Sequence, residues 1–203
     1  MSAASAVEAP ALSPPDPGEW HLPSRGRVGM ACLILTESAF FGIFIVAHLF
    51  YLGKDLNGPF ARDVLHPPWL NTVCLLASSL TITWAIASLK RGAVAAFGAL
   101  LLVTILLGLE FLIGTGLEWR GLIYEKGLTL RTNLLGTTFY SLVGFHGLHV
   151  TLGLLLLSTV LVFTALGRVR EPEAERVEVL SWYWHFVDAV WVVVLSVVYL
   201  VGA

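Results

Sequence analysis

Long apolar runs, separated by short segments rich in charge, glycine or proline, dominate the chain. They predict helices over about 28–52, 69–89, 93–116, 133–166 and 180–202. Each run supplies the roughly 20 apolar residues that a helix rising about 1.5 Å per residue needs to cross about 30 Å of hydrocarbon. The fourth exceeds one crossing and predicts a helix that tilts or projects beyond the headgroups. A spanning barrel would instead show segments of about ten residues with strict alternation. The pattern therefore predicts an all-α membrane protein, a bundle of five transmembrane helices.

The connections refine this picture. Lys90, Arg91 and Gly92 leave room only for a tight turn, so the second and third spans are predicted to be antiparallel neighbours. The segment after the first span, GKDLNGPFARDVLHPP, holds three prolines and cannot continue a helix. RVREPEAERVE, around Arg168–Glu178, is dense in charge and belongs in water. Residues 1–24 are rich in Ala, Ser and Pro, carry Glu8, Asp16 and Glu19, and have no apolar core of a signal peptide. They read as a polar, flexible tail on a transmembrane domain of residues 25–203.

Arg25, Arg27, Lys90, Arg91, Arg168, Arg170 and Arg176 fall at one end of the bundle, and Lys54, Arg62, Arg120, Lys126 and Arg131 at the other. This bias predicts a cytoplasmic N-terminus. Composition agrees with membrane residence: 57% of residues are hydrophobic and 13% charged, against about 25% charged in soluble domains. A net charge of −2 gives no sign of nucleic-acid binding. Cys32 and Cys74 lie on different spans without metal-binding spacing and read as free thiols.

Ionisable groups inside the spans carry the candidate chemistry, because inserting each costs about 2.5–3.5 kcal/mol at a helix centre. Glu37 lies deep in the first span between Thr36 and Ser38. It reads either as a carboxyl bonded to a neighbouring helix or as a proton-linked interface group. His146 and His149 share a face of the fourth span, and His185 and Asp188 repeat that spacing in the fifth, where the aspartate is placed to orient the imidazole. With that orientation Glu37, His185 and Asp188 all fall toward the inner side of the membrane, which makes a polar cluster joining the first and fifth spans geometrically possible. His146 and His149 reach Glu37 only if the first and fourth spans touch. His48 has no obvious partner. Haem ligation by these histidines is the competing reading. Glu118, beside Arg120 at the end of the third span, predicts a wetted salt bridge, whereas Glu110 lies two turns deeper. Trp69, Trp119, Trp182 and Trp184 read as an interfacial belt. Ser38/Gly42 and Gly92/Ala96 read as close-packing pairs.

Several strings are more specific. GFHGLHVTLG (Gly144–Gly153) and WYWHFVDAVW (Trp182–Trp191) resemble the strongest motifs of subunit III of haem–copper respiratory oxidases. LNTVCLLASSLTITWA (Leu70–Ala85), RVGMACLILTESAFFGIF (Arg27–Phe44) and FLIGTGLEW (Phe111–Trp119) are similar to three further segments of that family, in the same order. The resemblance places the family's intramembrane glutamate on Glu37 and its boundary glutamate on Glu118. Glu110 and Thr115 depart from the pattern, the first at a position usually apolar, the second where bacterial relatives often carry Lys.

The resemblance implies the short five-helix bacterial type, equivalent to the last five helices of a seven-helix plan. It implies a subunit that binds neither haem nor copper, those residing in partner subunits. It would pack on subunit I, beside subunit II and a small subunit IV, in a bacterial cytoplasmic membrane, and bind phospholipid. It would support proton uptake and protect the catalytic subunit of a complex that reduces oxygen, with cytochrome c as donor. Glu37 becomes the lipid-cleft or proton-uptake carboxyl, and His146, His149, His185 and Asp188 a structural hydrogen-bonding network, with Glu110 and Glu118 as boundary or contact groups. A quinol oxidase subunit and a nitric-oxide-reductase accessory protein share this architecture, and a free-standing b-type cytochrome is the reading from another class.

Overall fold

The computed structural model describes residues 24–54 and 58–201, and of Arg62 the backbone alone. The tail assigned to residues 1–24 lies outside the described residues except for Ser24. Five helices are long and apolar enough to cross a membrane: α1 (Arg25–Tyr51), α3 (Trp69–Lys90), α4 (Val94–Tyr124), α5 (Leu134–Ala165) and α6 (Ala174–Leu195). A single helical turn, α2 (Ala61–Val64), sits between α1 and α3. No strand occurs among the described residues.

Two helix ends differ from expectation. The third span continues to Tyr124 instead of stopping near 116, because Leu117–Tyr124 carries no glycine or proline after Gly116 other than Gly121 and keeps an apolar stripe through Leu122. Glu118 is therefore inside the helix and not at its boundary. The fifth span begins earlier than 180. A 3-10 turn at Glu171–Glu173 leads directly into α6 at Ala174. The Glu173 carboxyl accepts from the Arg170 backbone N–H at 3.0 Å, so the charged segment starts the helix as well as meeting water. At its far end α6 loosens into a π-helical turn over Ser196–Val201.

The Lys90–Gly92 turn is as tight as the sequence predicts, with Gly92 at φ +74°, a conformation open to glycine. α3 and α4 therefore form an antiparallel hairpin. α4 packs on α5, α5 on α1, α1 on α6, and α6 back on α3, closing a ring. α6 also contacts α5 across the interior. α1 is the loosest member: of its residues only Phe41 and His48 are buried. At the start of α5, the Asn133 side chain accepts from the Gly136 N–H at 2.8 Å, capping that helix.

The centre of the bundle is Trp184. It is fully buried, not part of an interfacial belt as predicted, while Trp69 and Trp182 remain exposed. Glycines on two neighbours make room for its ring. A Cβ at Gly108 on α4 or Gly153 on α5 would lie 2.9 and 2.8 Å from Trp184 carbons. Its indole N–H is satisfied by Ser78 Oγ of α3 at 2.9 Å. About two turns further along α6, Trp191 donates to Thr72 Oγ1, also on α3, at 3.1 Å. α3 thus presents a stripe of hydroxyls to α6, answering the polar edges of buried aromatics. The small-residue pairs do less: Gly92 serves the turn, and nothing lies within 4 Å of a Cβ at Gly42.

Candidate functional site

Two polar clusters occupy the middle depth of the bundle, on opposite sides of α6. The first lies where α1 meets α5. Glu37 and His149 face each other with Oε2 and Nε2 3.2 Å apart. The other ring nitrogen of His149 is 2.8 Å from the Phe145 carbonyl oxygen one turn back, so that nitrogen carries the proton and donates to it. Tyr183 of α6 donates to the His149 carbonyl oxygen at 3.2 Å, tying α6 to the same turn of α5. Phe41, one turn from Glu37, fills the space above the pair, with ring centroids 5.0 Å from His149 and 4.9 Å from Phe145. The Glu37 side chain keeps 22% of its surface exposed and the His149 side chain 6%. The carboxyl therefore borders the membrane-facing surface while its partner is buried.

The second cluster lies between α3 and α6. Ser79 Oγ is 2.9 Å from His185 Nδ1 and donates to Asp188 Oδ2. Contrary to the prediction from their i, i+3 spacing, His185 and Asp188 thus do not bond each other directly. Both meet a serine on another helix. Nor does Glu37 join this cluster. The first and fourth spans do touch, and Glu37 takes its partner from there.

His146 also departs from expectation. It is fully buried, yet neither ring nitrogen has a hydrogen-bond partner among the described residues. It is held by aromatic rings instead, stacked on Trp191 at 5.0 Å and edge-on to Phe111 at 5.5 Å. The expected network of four residues is therefore two separate clusters, with His146 packed as an aromatic ring. His48, without a partner on sequence grounds, has one: its Nδ1 is 3.0 Å from Thr138 Oγ1 of α5.

Glu118 does not pair with Arg120 as predicted; it accepts from the Tyr199 hydroxyl at 2.9 Å, across the α4–α6 space. Its carboxyl lines a cavity of about 200 Å³ with His66 and Lys126, whose ammonium donates to the Val64 carbonyl at 2.7 Å. Glu110 lies against Cys74 of α3, and its Oε2 is buried without a hydrogen-bond partner among the described residues. No three of His, Cys, Asp and Glu come together as a metal site among the described residues.

Sequence reasoning missed Ser79, Tyr183, Tyr199 and Thr138, each the partner of a residue it singled out. The string SSLTIT, Ser78–Thr83, held the signal for Ser79. Four hydroxyls in six residues of a spanning helix mark a face that meets polar groups elsewhere.

Comparison with known proteins adds an independent line. The family model for cytochrome c oxidase subunit III matches residues 24–203. A Mycobacterium leprae protein named probable cytochrome c oxidase subunit 3 is 38% identical over 183 residues, covering 88% of this chain and 89% of its own length. The Bacillus subtilis cytochrome c oxidase subunit 3 is 40% identical over 134 residues, 66% of this chain and 65% of that protein. That of Didelphis virginiana is 38% identical over 174 residues, 81% of this chain. The chain spans only 60% of that last relative's length. With five spanning helices packed as a ring and a match along nearly all of them, the chain belongs to the cytochrome c oxidase subunit III family.

Proposed function

We propose that this chain is the accessory subunit III of a proton-pumping haem–copper terminal oxidase, with cytochrome c as electron donor and oxygen as acceptor. The match from residue 24 to residue 203, which leaves no helix of the bundle unaccounted for, carries this reading. In it the chain holds no redox centre of its own. Haem and copper belong to subunits I and II, and this chain packs on subunit I beside subunit II and a small subunit IV.

Its own residues supply three services. The Glu37–His149 pair pins α1, the helix with the least buried surface, to α5. Glu37, being partly exposed, presents a carboxyl at mid-depth for proton uptake or for contact with a lipid cleft. The groove between α1 and α6, lined by Ser38, Phe41, Gly42, Phe186, Ala189 and Val193 among others, has a volume of about 290 Å³ and suits an acyl chain of a bound phospholipid. The chain is a multi-pass membrane protein. We place it in a bacterial cytoplasmic membrane with Arg27 and Lys90 at the cytoplasmic end, the end richer in Lys and Arg.

Purification in mild detergent, with identification of every co-purifying chain and its haem, tests the reading. The expected result is a complex with a larger haem- and copper-bearing subunit that oxidises cytochrome c, and a separated chain without a Soret band. A Soret band that tracks this polypeptide overturns it. A complex that oxidises quinol and not cytochrome c moves the chain to a quinol oxidase.

A further inference from the structure

A groove of about 160 Å³ lies between α3 and α6, lined by Thr83, Ile86, Glu178, Ser181, Trp182 and His185. Glu178 stands near the charged end of α6, and His185 lies seven residues, or about 10 Å, deeper along it. At the mouth, Lys90 holds Glu178 at 2.7 Å, with Arg27 of α1 at 3.9 Å. The groove therefore leads from a charged, wetted rim to the imidazole.

The hydrogen bonds beyond the imidazole form a closed count. The Thr83 hydroxyl donates to the Ser79 carbonyl at 2.8 Å, and Ser181 to the Glu178 carbonyl at 2.7 Å. Neither has a proton left for His185. Ser79 has one hydroxyl proton, and two neighbours compete for it: His185 Nδ1 and Asp188 Oδ2. If Ser79 donates to an Asp188 carboxylate, His185 must donate from Nδ1 to Ser79, which leaves Nε2 as a bare acceptor at the groove. If Asp188 is protonated, it donates to Ser79, Ser79 donates to Nδ1, and Nε2 carries the proton beside Thr83, 3.5 Å away.

These two states differ by one proton and by no movement of a heavy atom. We propose that His185, Ser79 and Asp188 form a proton relay that loads and unloads the buried Asp188 from the groove between α3 and α6. A proton arriving at His185 Nε2 releases the Nδ1 proton to Ser79 Oγ, and Ser79 passes its own proton to Asp188 Oδ2. The imidazole gains an N–H bond at Nε2 as it loses one at Nδ1, Ser79 Oγ gains one O–H bond as it gives up another, and the net change is one proton on Asp188 Oδ2. Unloading reverses the order.

Asp188 is 3% exposed, so the imidazole and serine are its route to water from this side, and its Oδ1 has no other partner among the described residues. The charged groups that face the relay are few. Lys90 of α3 and Arg27 of α1 are both engaged with Glu178 of α6, and Glu175 pairs with Arg27 at 3.3 Å. On the α5 side, His149 is turned to Glu37 across α6 and does not enter the chain. Cys74 and Glu110 face each other on the α3–α4 side.

Infrared spectroscopy of the intact purified complex in H2O and D2O tests the relay. The expected result is a protonated-carboxyl band that titrates with pH, shifts in D2O and is missing in Asp188→Asn. Its isotope exchange should slow about a hundredfold or more in Ser79→Ala and in His185→Phe, the scale of a lost positioned proton carrier. Ser79→Thr, which keeps the hydroxyl, should restore it. Wild-type exchange in either blocking variant overturns the proposal. So does the absence of any Asp188 band across the pH range in which the complex stays intact. Either blocking variant decides alone if the other fails to assemble. The readout belongs to this chain's own carboxyl and stands whichever oxidase the chain serves.

Discussion

Glu37 on α1 and His149 on α5 meet 3.2 Å apart, and this contact is the main polar bond between α1 and the rest of the bundle at mid-depth. Removing one member leaves the other without its partner in a poorly hydrated place. Glu37→Ala is expected to destabilise the attachment of α1 by about 1–3 kcal/mol, the usual cost of an orphaned buried group. Glu37→Gln, which can still bond the imidazole, should cost less. The double variant Glu37→Ala/His149→Ala should lose less than the sum of the single losses, with a coupling of about 0.5–3 kcal/mol. Retention of the chain on the complex through a detergent series measures all three. Additive losses would show that the two side chains do not depend on each other.

Trp184 gives a steric test at the centre of the bundle. A Cβ at Gly153 would lie 2.8 Å from the indole ring, with Gly108 closing the other side at 2.9 Å. The ring has no free direction, because its N–H is held by Ser78. Gly153→Ala is therefore expected to cost about 1–3 kcal/mol, the range for an overpacked core. Gly147→Ala, on the same helix with nothing within 4 Å of its Cβ, is the control and should be near neutral. Thermal unfolding of the two variants in the same detergent compares them, and equal midpoints would refute the packing argument.

The five spans were legible because length and hydropathy decide them, and the intramembrane position of Glu37 followed from counting along the first. Its partner was not legible, since nothing local says which helices touch. Trp184 was misread as interfacial because an indole looks the same in sequence at a headgroup and in a core. Only Gly108 and Gly153, on two other helices, reveal the difference. Ser79 was passed over for a related reason. A hydroxyl in a spanning helix usually bonds its own backbone one turn back, as Thr36, Ser38 and Thr83 do here. Ser79 instead turns to another helix, and only the packing of α6 shows it. His146 shows the reverse error, a polar residue type used for its ring.

The ion pairs at the charged end should matter less than their number suggests. Arg27, Lys90, Glu175 and Glu178 form a linked set, but their side chains are 29–54% exposed. Water screens such pairs, and Lys90→Ala is expected to change stability by no more than about 1 kcal/mol. Raising the salt concentration should erase even that difference. A loss comparable to that in Gly153→Ala would mean that the mouth of the α3–α6 groove is shielded by another chain in the assembled complex.

Tyr199 and Glu118 supply the last test, at the opposite end of the bundle. Tyr199 sits in the π-helical turn over Ser196–Val201, is 2% exposed, and donates to Glu118 at 2.9 Å. Its ring packs near Phe139 and Trp191, with centroids 6.2 and 6.4 Å away, so Tyr199→Phe keeps the packing and removes only the hydroxyl. A bond to a group able to carry charge is worth about 1.5–3 kcal/mol, and Tyr199→Phe should cost close to this if the bond holds the turn in place. Glu118→Gln should cost less, because its amide oxygen still accepts. The effect should be local. Hydrogen exchange of the last turns of α6 should quicken in Tyr199→Phe while exchange near Trp184 stays as it was. Uniform quickening along α6 would show that the bond supports the whole helix and not its final turns.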